Sequence, residues 1–469
     1  MKKKILLNII SLIVLIVMIM LTLTILSLNV LPSKYLMLFI GAEIIFYLVA
    51  LVFYNLKHWV FITLGVLFYI ISVSGNLFGY YYLSKTNKYL EENFAVDSYE
   101  ITTKYVVVAN INDSANNIKE IKKENKINYY KYGRSISKAL KTLGNYNYVE
   151  TDKGIDALND VTTNNNYFLV AKASYDYLLE STNLIVKDNY KIIYEFDVLE
   201  KVKKNTNVPD SYNIYINGLD YTGIMRDYNL IATINTKTRK VVLTSIPRDF
   251  YIDVPAYNMK DTLMCMGSLD AEVSKEALEK LFNTKIDYTI NFNTNSLVSI
   301  VDTIGGVEFC SKYDFYTTHD LNLGSYSDKG EKLHVTKECR TYNGLETLAI
   351  ARQRMGLPGR DRARQENCRQ ILINIVKKLA STTTLKNYDN VLKSFDGLYT
   401  TDMNKTVISN LIKIGIDDMN FDIIEQSVDG VDGIGIGHLG TQESWIMTPD
   451  MNIVNNASKK INEVLKEKK

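Results

Sequence analysis

Histidine and cysteine are scarce in this chain of 469 residues, with four of each. The histidines, His58, His319, His334 and His438, lie outside the patterned stretches described below and supply no obvious base, so Ser245 is no convincing nucleophile. The cysteines, Cys265, Cys310, Cys339 and Cys368, show no CxxC spacing, which argues against a zinc site. Net charge is nearly absent too, at +2, and basic and acidic residues alternate over most of the chain. Nucleic acid binding needs a basic face and is argued against as a partner class. Arginine is rare as well, at eleven residues against 43 lysines.

The rarity of arginine makes its distribution informative. Six of the eleven fall between Ala351 and Gln370: Arg352, Arg354, Arg360, Arg362, Arg364 and Arg369. Lysine suffices for solubility elsewhere, so the switch to arginine points to a need for planar, multi-donor geometry, as in gripping a carboxylate or phosphate. A solvated basic helix is the plainer alternative. Upstream, Asn343-Gly344 predicts a turn, followed by Leu345, Leu348 and Arg352 on one helical stripe. Gly356, Pro358 and Gly359 break that helix. A second one is predicted from about Asp361, with Arg364, Cys368, Leu372, Ile375, Val376 and Leu379 on its core face. The opening turn of the second helix adds N–H groups that favour an anion.

Three apolar spans open the chain, at about Ile5 to Val30, Tyr35 to Tyr54 and Trp59 to Phe78. Each is close to the roughly 20 residues that cross a bilayer. The first is too long for a cleaved signal peptide, and no small-residue cleavage site follows it. Lys2, Lys3 and Lys4 predict a cytoplasmic N-terminus, which places everything after Tyr80 outside, although Lys34, Lys85 and Lys88 thin the bias. Glu43 lies mid-span and is expected to face the other two helices.

The stretch from about Asn87 to Asn205 alternates strand-like runs, "KYVVVANI", "NYFLVAKA" and "KIIYEFDV", with helical patterns "SISKALKTL" and "SYDYLLES". It reads as a small α/β unit for packing or partner binding, since it holds no His and no Cys. A new unit then starts with a strand from Ile214 to Asn217, ending in Gly218-Leu219-Asp220. A hairpin turning at Thr236 to Arg239 follows, and its second strand ends at Ser245, so that Pro247 presents Arg248 and Asp249 at its tip. Further helices and strands alternate from Leu269 to Phe309, which predicts a mixed sheet covered on both faces. Sites of such folds lie at strand ends, where Asp220, Asp227 and Arg248 stand. For the two aspartates, ordinary turn chemistry is the competing reading.

Four blocks in order, "YINGLD", "DYNLIATINTKTRKVVLTSIPRDFYIDV", "IVDTIGGVEF" and "NGLETLAIARQR…GRDRARQENCRQILINIVKKL", resemble the LytR-CpsA-Psr (LCP) family of cell-wall glycopolymer ligases. A weaker echo lies in "SWIMTPDMNIVNNASKKINEVL". Three spans followed by an extra outer unit are similar to the capsule-assembly members. The resemblance implies an α/β architecture of three parts: residues 1–84 as a membrane anchor, 85–205 as an accessory domain, and 206–469 as an αβα-sandwich catalytic domain. It implies transfer of a teichoic acid or capsule-type glycan from a polyprenyl pyrophosphate to peptidoglycan, outside the membrane of a Gram-positive-type envelope. Asp220 and Asp227 are the implied Mg²⁺ ligands. Arg248, Arg352, Arg354 and Arg364 are the implied clamp on the pyrophosphate, and Asp361 is a site aspartate acting as base or arginine-positioner. The family's usual arginine stands two residues before the second carboxylate; here Met225 occupies that place and Arg226 follows as a further candidate for the pyrophosphate.

Two rivals stay open: a polyprenyl pyrophosphate hydrolase using water as acceptor, and a non-catalytic envelope sensor or regulator. Outside the cytoplasm thiols pair, so Cys310 and Cys339, which bracket a polar loop, are expected to form a disulfide. The resemblance implies that Cys265 and Cys368 both stand at the site's edge, and a second bridge between them is the further expectation.

Overall fold

The computed structural model describes residues 2–56, 58–94, 98–131, 135–181, 186–204, 209–220, 225–257, 259–268, 271–318, 331–379, 393, 399–417, 422–437 and 443–468. Three helices come first: α1 (Lys2–Leu28), α2 (Ser33–Asn55) and α3 (Trp59–Phe94). All three are long and apolar enough to cross a membrane. Glu43 faces inward as expected, because Asn76 Nδ2 of α3 donates to both of its carboxylate oxygens at 3.0 Å. The helix that carries the third apolar span does not end at Phe78. It continues unbroken to Phe94, because Leu83, Leu90 and Phe94 form a helical stripe that packs with Leu28 and Val30.

A first sheet has the order β3-β2-β4-β1-β5. Its strands are β1 (Ser98–Asn110), β2 (Lys126–Tyr130), β3 (Asn147–Thr151), β4 (Tyr167–Ala171) and β5 (Tyr190–Lys203), with helices α4 (Ile136–Leu143), α5 (Gly154–Asn164) and α6 (Lys172–Ser181) between them. The three long apolar runs became β1, β4 and β5. Short polar β2 and β3 gave no alternation strong enough to read, since their stability comes from pairing in parallel with each other and, through β2, with β4. Leu178 and Tyr175 of α6 are buried in one cluster with Ile246 and Phe250, so this unit is packed directly onto the next.

The main sheet has the order β16-β11-β6-β7-β8-β17. Its strands are β6 (Ser211–Leu219), β7 (Arg226–Asn235), β8 (Lys240–Ser245), β11 (Tyr288–Phe292), β16 (Tyr399–Thr401) and β17 (Asp422–Ser427). The β7–β8 hairpin turns where Thr236 to Arg239 predicted it, and parallel pairs β11–β6 and β17–β8 make the sheet mixed. A short pair, β9 (Tyr251–Val254) and β10 (Met259–Thr262), precedes α7 (Ala271–Phe282). The helix α8 (Thr294–Thr303) leads to β12 (Val307–Cys310), which pairs with β15 (Cys339–Tyr342). The strands β13 (Phe315–Tyr316) and β14 (His334–Val335) pair within the connection between β12 and β15, whose residues 319–330, His319 among them, lie outside the described residues. Two helices, α9 (Gly344–Arg352) and α10 (Asp361–Leu379), follow, then α11 (Lys405–Asp417), the hairpin β18 (Gly430–Gly435) and β19 (Ser444–Pro449), and α12 (Met451–Lys466). One face of the main sheet packs on Leu372 and Ile373 of α10 and Val407 of α11; the other packs on Val273 of α7 and Val454 of α12. The result is the expected αβα sandwich with a mixed central sheet.

Candidate active site

Three strand ends meet at one edge of the main sheet: β6 stops just before Asp220, β7 opens with Arg226 and Asp227, and β8 ends before the Pro247 turn that carries Arg248 and Asp249. Above them α9 ends at Arg352 and α10 starts at Asp361. Gly356 (φ 77°) and Gly359 (φ 75°) turn the connection through left-handed backbone that side-chain-bearing residues rarely adopt. Gln353, fully buried between two of the arginines, accepts from the Thr318 N–H at 2.8 Å and so fixes the rim from which Arg352 and Arg354 project. No sequence signal distinguished this glutamine, because its partner is 35 residues away in the chain.

The cleft between these ends has a volume of about 290 Å³ and is lined by Asp227, Arg248, Arg352, Arg354 and Arg364, with Thr318 and Met355. Arg248 Nη1 donates to Asp227 Oδ1. Arg364 Nη2 donates to the Asp227 carbonyl at 2.5 Å and lies 2.7 Å from Asp361 Oδ1. The Arg364 side chain is 4% exposed, which is not the environment of a solvated basic helix. The Nε groups of Arg248 and Arg364 are buried without a hydrogen-bond partner. A buried guanidinium N–H with no acceptor is costly, and the four arginines that line the cleft give it the positive charge that suits an anion.

Burial alone would favour the neutral form of Asp227, but Arg248 first, then Arg364 and Arg352, hold its carboxyl below the usual carboxylate range. Burial lowers the proton affinity of Arg364, and Asp361, followed by Asp227, more than restores it. Asp249 behaves oppositely to Asp227. Burial pushes it up to about 6, with Asp361 and Asp227 acting in the same direction and Arg248 and Arg364 against. It lies 3.6 Å from Arg248 Nε. Nothing local in the sequence shows that Asp249, at a strand tip, becomes buried beside two other carboxylates.

A second cavity, of about 220 Å³ and almost wholly apolar, opens off the cleft and shares Asp227, Arg352 and Arg364 with it. Its walls are Ile216, Gly218 and Leu219 of β6, Phe292 of β11, Leu297 and Ile300 of α8, and Leu372, Ile375, Val376 and Leu379 of α10. The predicted core face of α10 therefore faces a cavity along much of its length, and Val376 remains 59% exposed.

The remaining arginines of the cluster point elsewhere. Arg362 makes two hydrogen bonds of 2.7 Å through Nε to Asp429, and Arg369 is buried against Glu425, Ser245 and Ser427 on β8 and β17. Arg360 is exposed at φ 46°. Arg226, the further candidate for the pyrophosphate, lines neither cavity; it is 3% exposed and lies against the Tyr215 hydroxyl. The shift of one position that replaces the family's arginine by Met225 thus turns Arg226 into the sheet. Asp220 also stays outside both linings. Its N–H donates to the Met225 carbonyl and its Oδ1 accepts from the Met225 N–H at 3.1 Å, closing a loop whose residues 221–224 lie outside the described residues.

The sequence pattern of the LytR_cpsA_psr family matches residues 177–460, more than half of the chain. The chain belongs to the LytR_cpsA_psr family. Its family region begins inside α6, the helix of the first unit that packs against the second. Among relatives, the chain is 25% identical over 233 residues to the polyisoprenyl-teichoic acid–peptidoglycan teichoic acid transferase TagU of Enterococcus faecalis, covering 47% of this chain and 71% of that protein. It is 29% identical over 257 residues to the TagU of Bacillus cereus, covering 53% and 76%. The crystal structure of B. subtilis TagV aligns with 56% of this chain and 100% of its own, at 19% identity and a TM-score of 0.46.

Of the cysteines in this family member, Cys310 and Cys339 form the expected disulfide, across directly paired residues of β12 and β15. The expected second bridge does not form: neither Cys265 nor Cys368 is in a disulfide. Cys265 is buried beside the Tyr177 hydroxyl, whereas the Cys368 thiol bonds the Ala351 carbonyl at 3.2 Å in the wall of the apolar cavity and is pushed up to about 12 by burial. The two positions face different elements.

Proposed function

We propose that this chain transfers a glycopolymer from a polyisoprenyl pyrophosphate to peptidoglycan on the outer side of the membrane. The observation that carries the reading is the joining of an arginine cleft to an apolar cavity through Asp227, Arg352 and Arg364. A pyrophosphate with a hydrocarbon tail has this division of chemistry, and the names of the TagU relatives agree with it. In the reaction an acceptor hydroxyl attacks the phosphorus next to the sugar. The bridging P–O bond breaks, a lipid monophosphate departs with the electron pair, and the hydroxyl proton passes to a base, leaving a phosphodiester. Arg248, Arg352, Arg354 and Arg364 hold the phosphate oxygens in line and neutralise the charge that grows on them. Asp361 keeps the Arg364 guanidinium in place.

A magnesium ion suits the donors at the strand ends, because Asp227 is held ionised and Mg²⁺ takes one or two carboxylates, completing its shell with phosphate and water. Asp227 and Asp220 would hold it, and it would withdraw charge from the pyrophosphate. No group of three or more His, Cys, Asp or Glu able to bind a metal occurs among the described residues, and in this reading substrate oxygens would complete the shell.

The full-length chain in liposomes, given a polyisoprenyl-pyrophosphate glycan, should release lipid monophosphate only when peptidoglycan is present. Equal release without peptidoglycan would make it a hydrolase, and no consumption of donor would overturn the reading. Chelation should stop the reaction, and Asp220→Asn should raise the Mg²⁺ concentration needed. An unchanged Mg²⁺ dependence would remove Asp220 from the metal site.

A further inference from the structure

The apolar cavity crosses the main sheet in a definite order. Its lining passes from Asp227 and Tyr228 on β7 to Gly218 and Leu219 on β6 and on to Phe292 on β11. The next strand, and the edge of the sheet, is β16. Its first residue, Tyr399, lies 6.2 Å from Phe292 between ring centroids. Tyr399 in turn stacks on Phe94 of α3 at 6.1 Å and 19°, and its hydroxyl is 3.0 Å from that of Tyr89 on the same helix. An aromatic series thus runs from the cavity wall, across the sheet edge, to a helix whose inner part is apolar enough to span a bilayer.

The dimensions agree. A helix of 36 residues is about 54 Å long and a hydrocarbon core is about 30 Å thick, so some 20 Å of α3 stands clear of the core. Tyr80, Tyr81 and Tyr82 lie where an interfacial aromatic belt is expected, which puts Tyr89 about 10 Å and Phe94 about 18 Å farther out along the helix. The sheet edge is also fixed to the anchor. Lys405 of α11 donates to Asn87 of α3 at 2.9 Å and pairs with Glu91, and Lys413 donates to Asn29 at the end of α1 at 3.2 Å.

We infer that Tyr399 and the outer part of α3 form the passage by which a polyisoprenyl tail moves from the bilayer into the apolar cavity. The anchor is then part of the donor site as well as a tether. This rests on the transferase reading above. A tail of many isoprene units crossing open water would expose its whole apolar surface, whereas a contiguous aromatic path keeps it covered.

The test uses the full-length chain in liposomes and two donors with the same headgroup, one with a long bilayer-resident polyisoprenyl chain and one with a short water-soluble chain. The double variant Tyr89→Ser, Tyr399→Ser should raise KM for the long-chain donor at least fivefold with kcat unchanged, and leave both constants for the short-chain donor within twofold. Equal changes for both donors would mean that the two tyrosines only support the fold, and no change for either would also overturn the passage. Photolysis of a diazirine-bearing polyisoprenyl pyrophosphate, which requires no turnover, should label the peptides containing Tyr89 and Tyr399. Label confined to the membrane spans and the cavity would overturn the passage. Labelling of those peptides in an unsubstituted protein that transfers neither donor would overturn the transferase reading while leaving the passage standing.

Discussion

Arg364 Nη2 contacts a main-chain oxygen and Asp361, its Nη1 lies 4.0 Å from Asp227 Oδ1, and its Nε is buried without a hydrogen-bond partner. Lysine carries the same charge at a single point and cannot span three directions. A charge-assisted hydrogen bond is worth roughly 1.5–3 kcal/mol, or about ten- to 150-fold in rate. Arg352→Lys and Arg364→Lys should therefore each lower transfer at least tenfold. Arg369→Lys should leave transfer within about twofold but lower the melting temperature, since Arg369 joins α10 to β8 and β17 from a buried position. Three variants behaving alike in the transfer assay would dissolve the clamp. Asp249 supplies a pH test. Its folded-state affinity for a proton is raised, so its stabilising contribution is complete below about pH 4 and is lost as pH rises through about 6. Asp249→Asn does not titrate, and its stability relative to the parent should rise between pH 4 and pH 7 by up to about 3 kcal/mol. Thermal unfolding midpoints whose difference stays flat across that range would refute this.

At the scale of elements, the turn read at Asn343-Gly344 is an N-cap: Asn343 Oδ1 accepts from the Glu346 N–H and Glu346 Oε2 accepts from the Asn343 N–H, both at 2.9 Å. Helix starts and glycine breaks are legible because their chemistry is complete within a few residues. The disulfide closes a longer unit, from Cys310 to Cys339 with a sequence separation of 29, and holds β12 against β15 beside α10. Closing a loop of that length constrains the unfolded chain by about 3–4 kcal/mol. Replacing both cysteines with serine should lower stability by 2–4 kcal/mol or so, with a larger effect on β12 and β15 than on β6, β7 and β8. Hydrogen exchange would resolve the difference, and uniform loss of protection would show that the bridge supports the whole sheet.

For the whole molecule, the decisive property is which side of the membrane the two sheets occupy. Lys2, Lys3 and Lys4 open α1, and by the positive-inside rule three crossings would put both sheets on the far side. Protease added to intact cells should digest the part after α3, and its survival would reverse the orientation and exclude peptidoglycan as the acceptor. The first sheet shares a hydrophobic cluster with the main sheet through α6, so deleting it would expose Ile246 and Phe250 and should destabilise the catalytic part as well.

The sequence by itself determined what depends on neighbours along the chain: three spans of bilayer length, the β7–β8 hairpin, the broken pair α9 and α10, and the order of blocks that marks the family. It could not sort six clustered arginines into three that line the cleft, two that brace other elements and one left exposed. Nor could it show that Asp227 is held ionised while Asp249 is held closer to neutral, or that Cys265 and Cys368 face different elements. Those outcomes depend on burial and on the approach of groups far apart in the chain. The field at a carboxylate and the walls of a cavity arise only once β6, β7, β8, α9 and α10 are packed against one another.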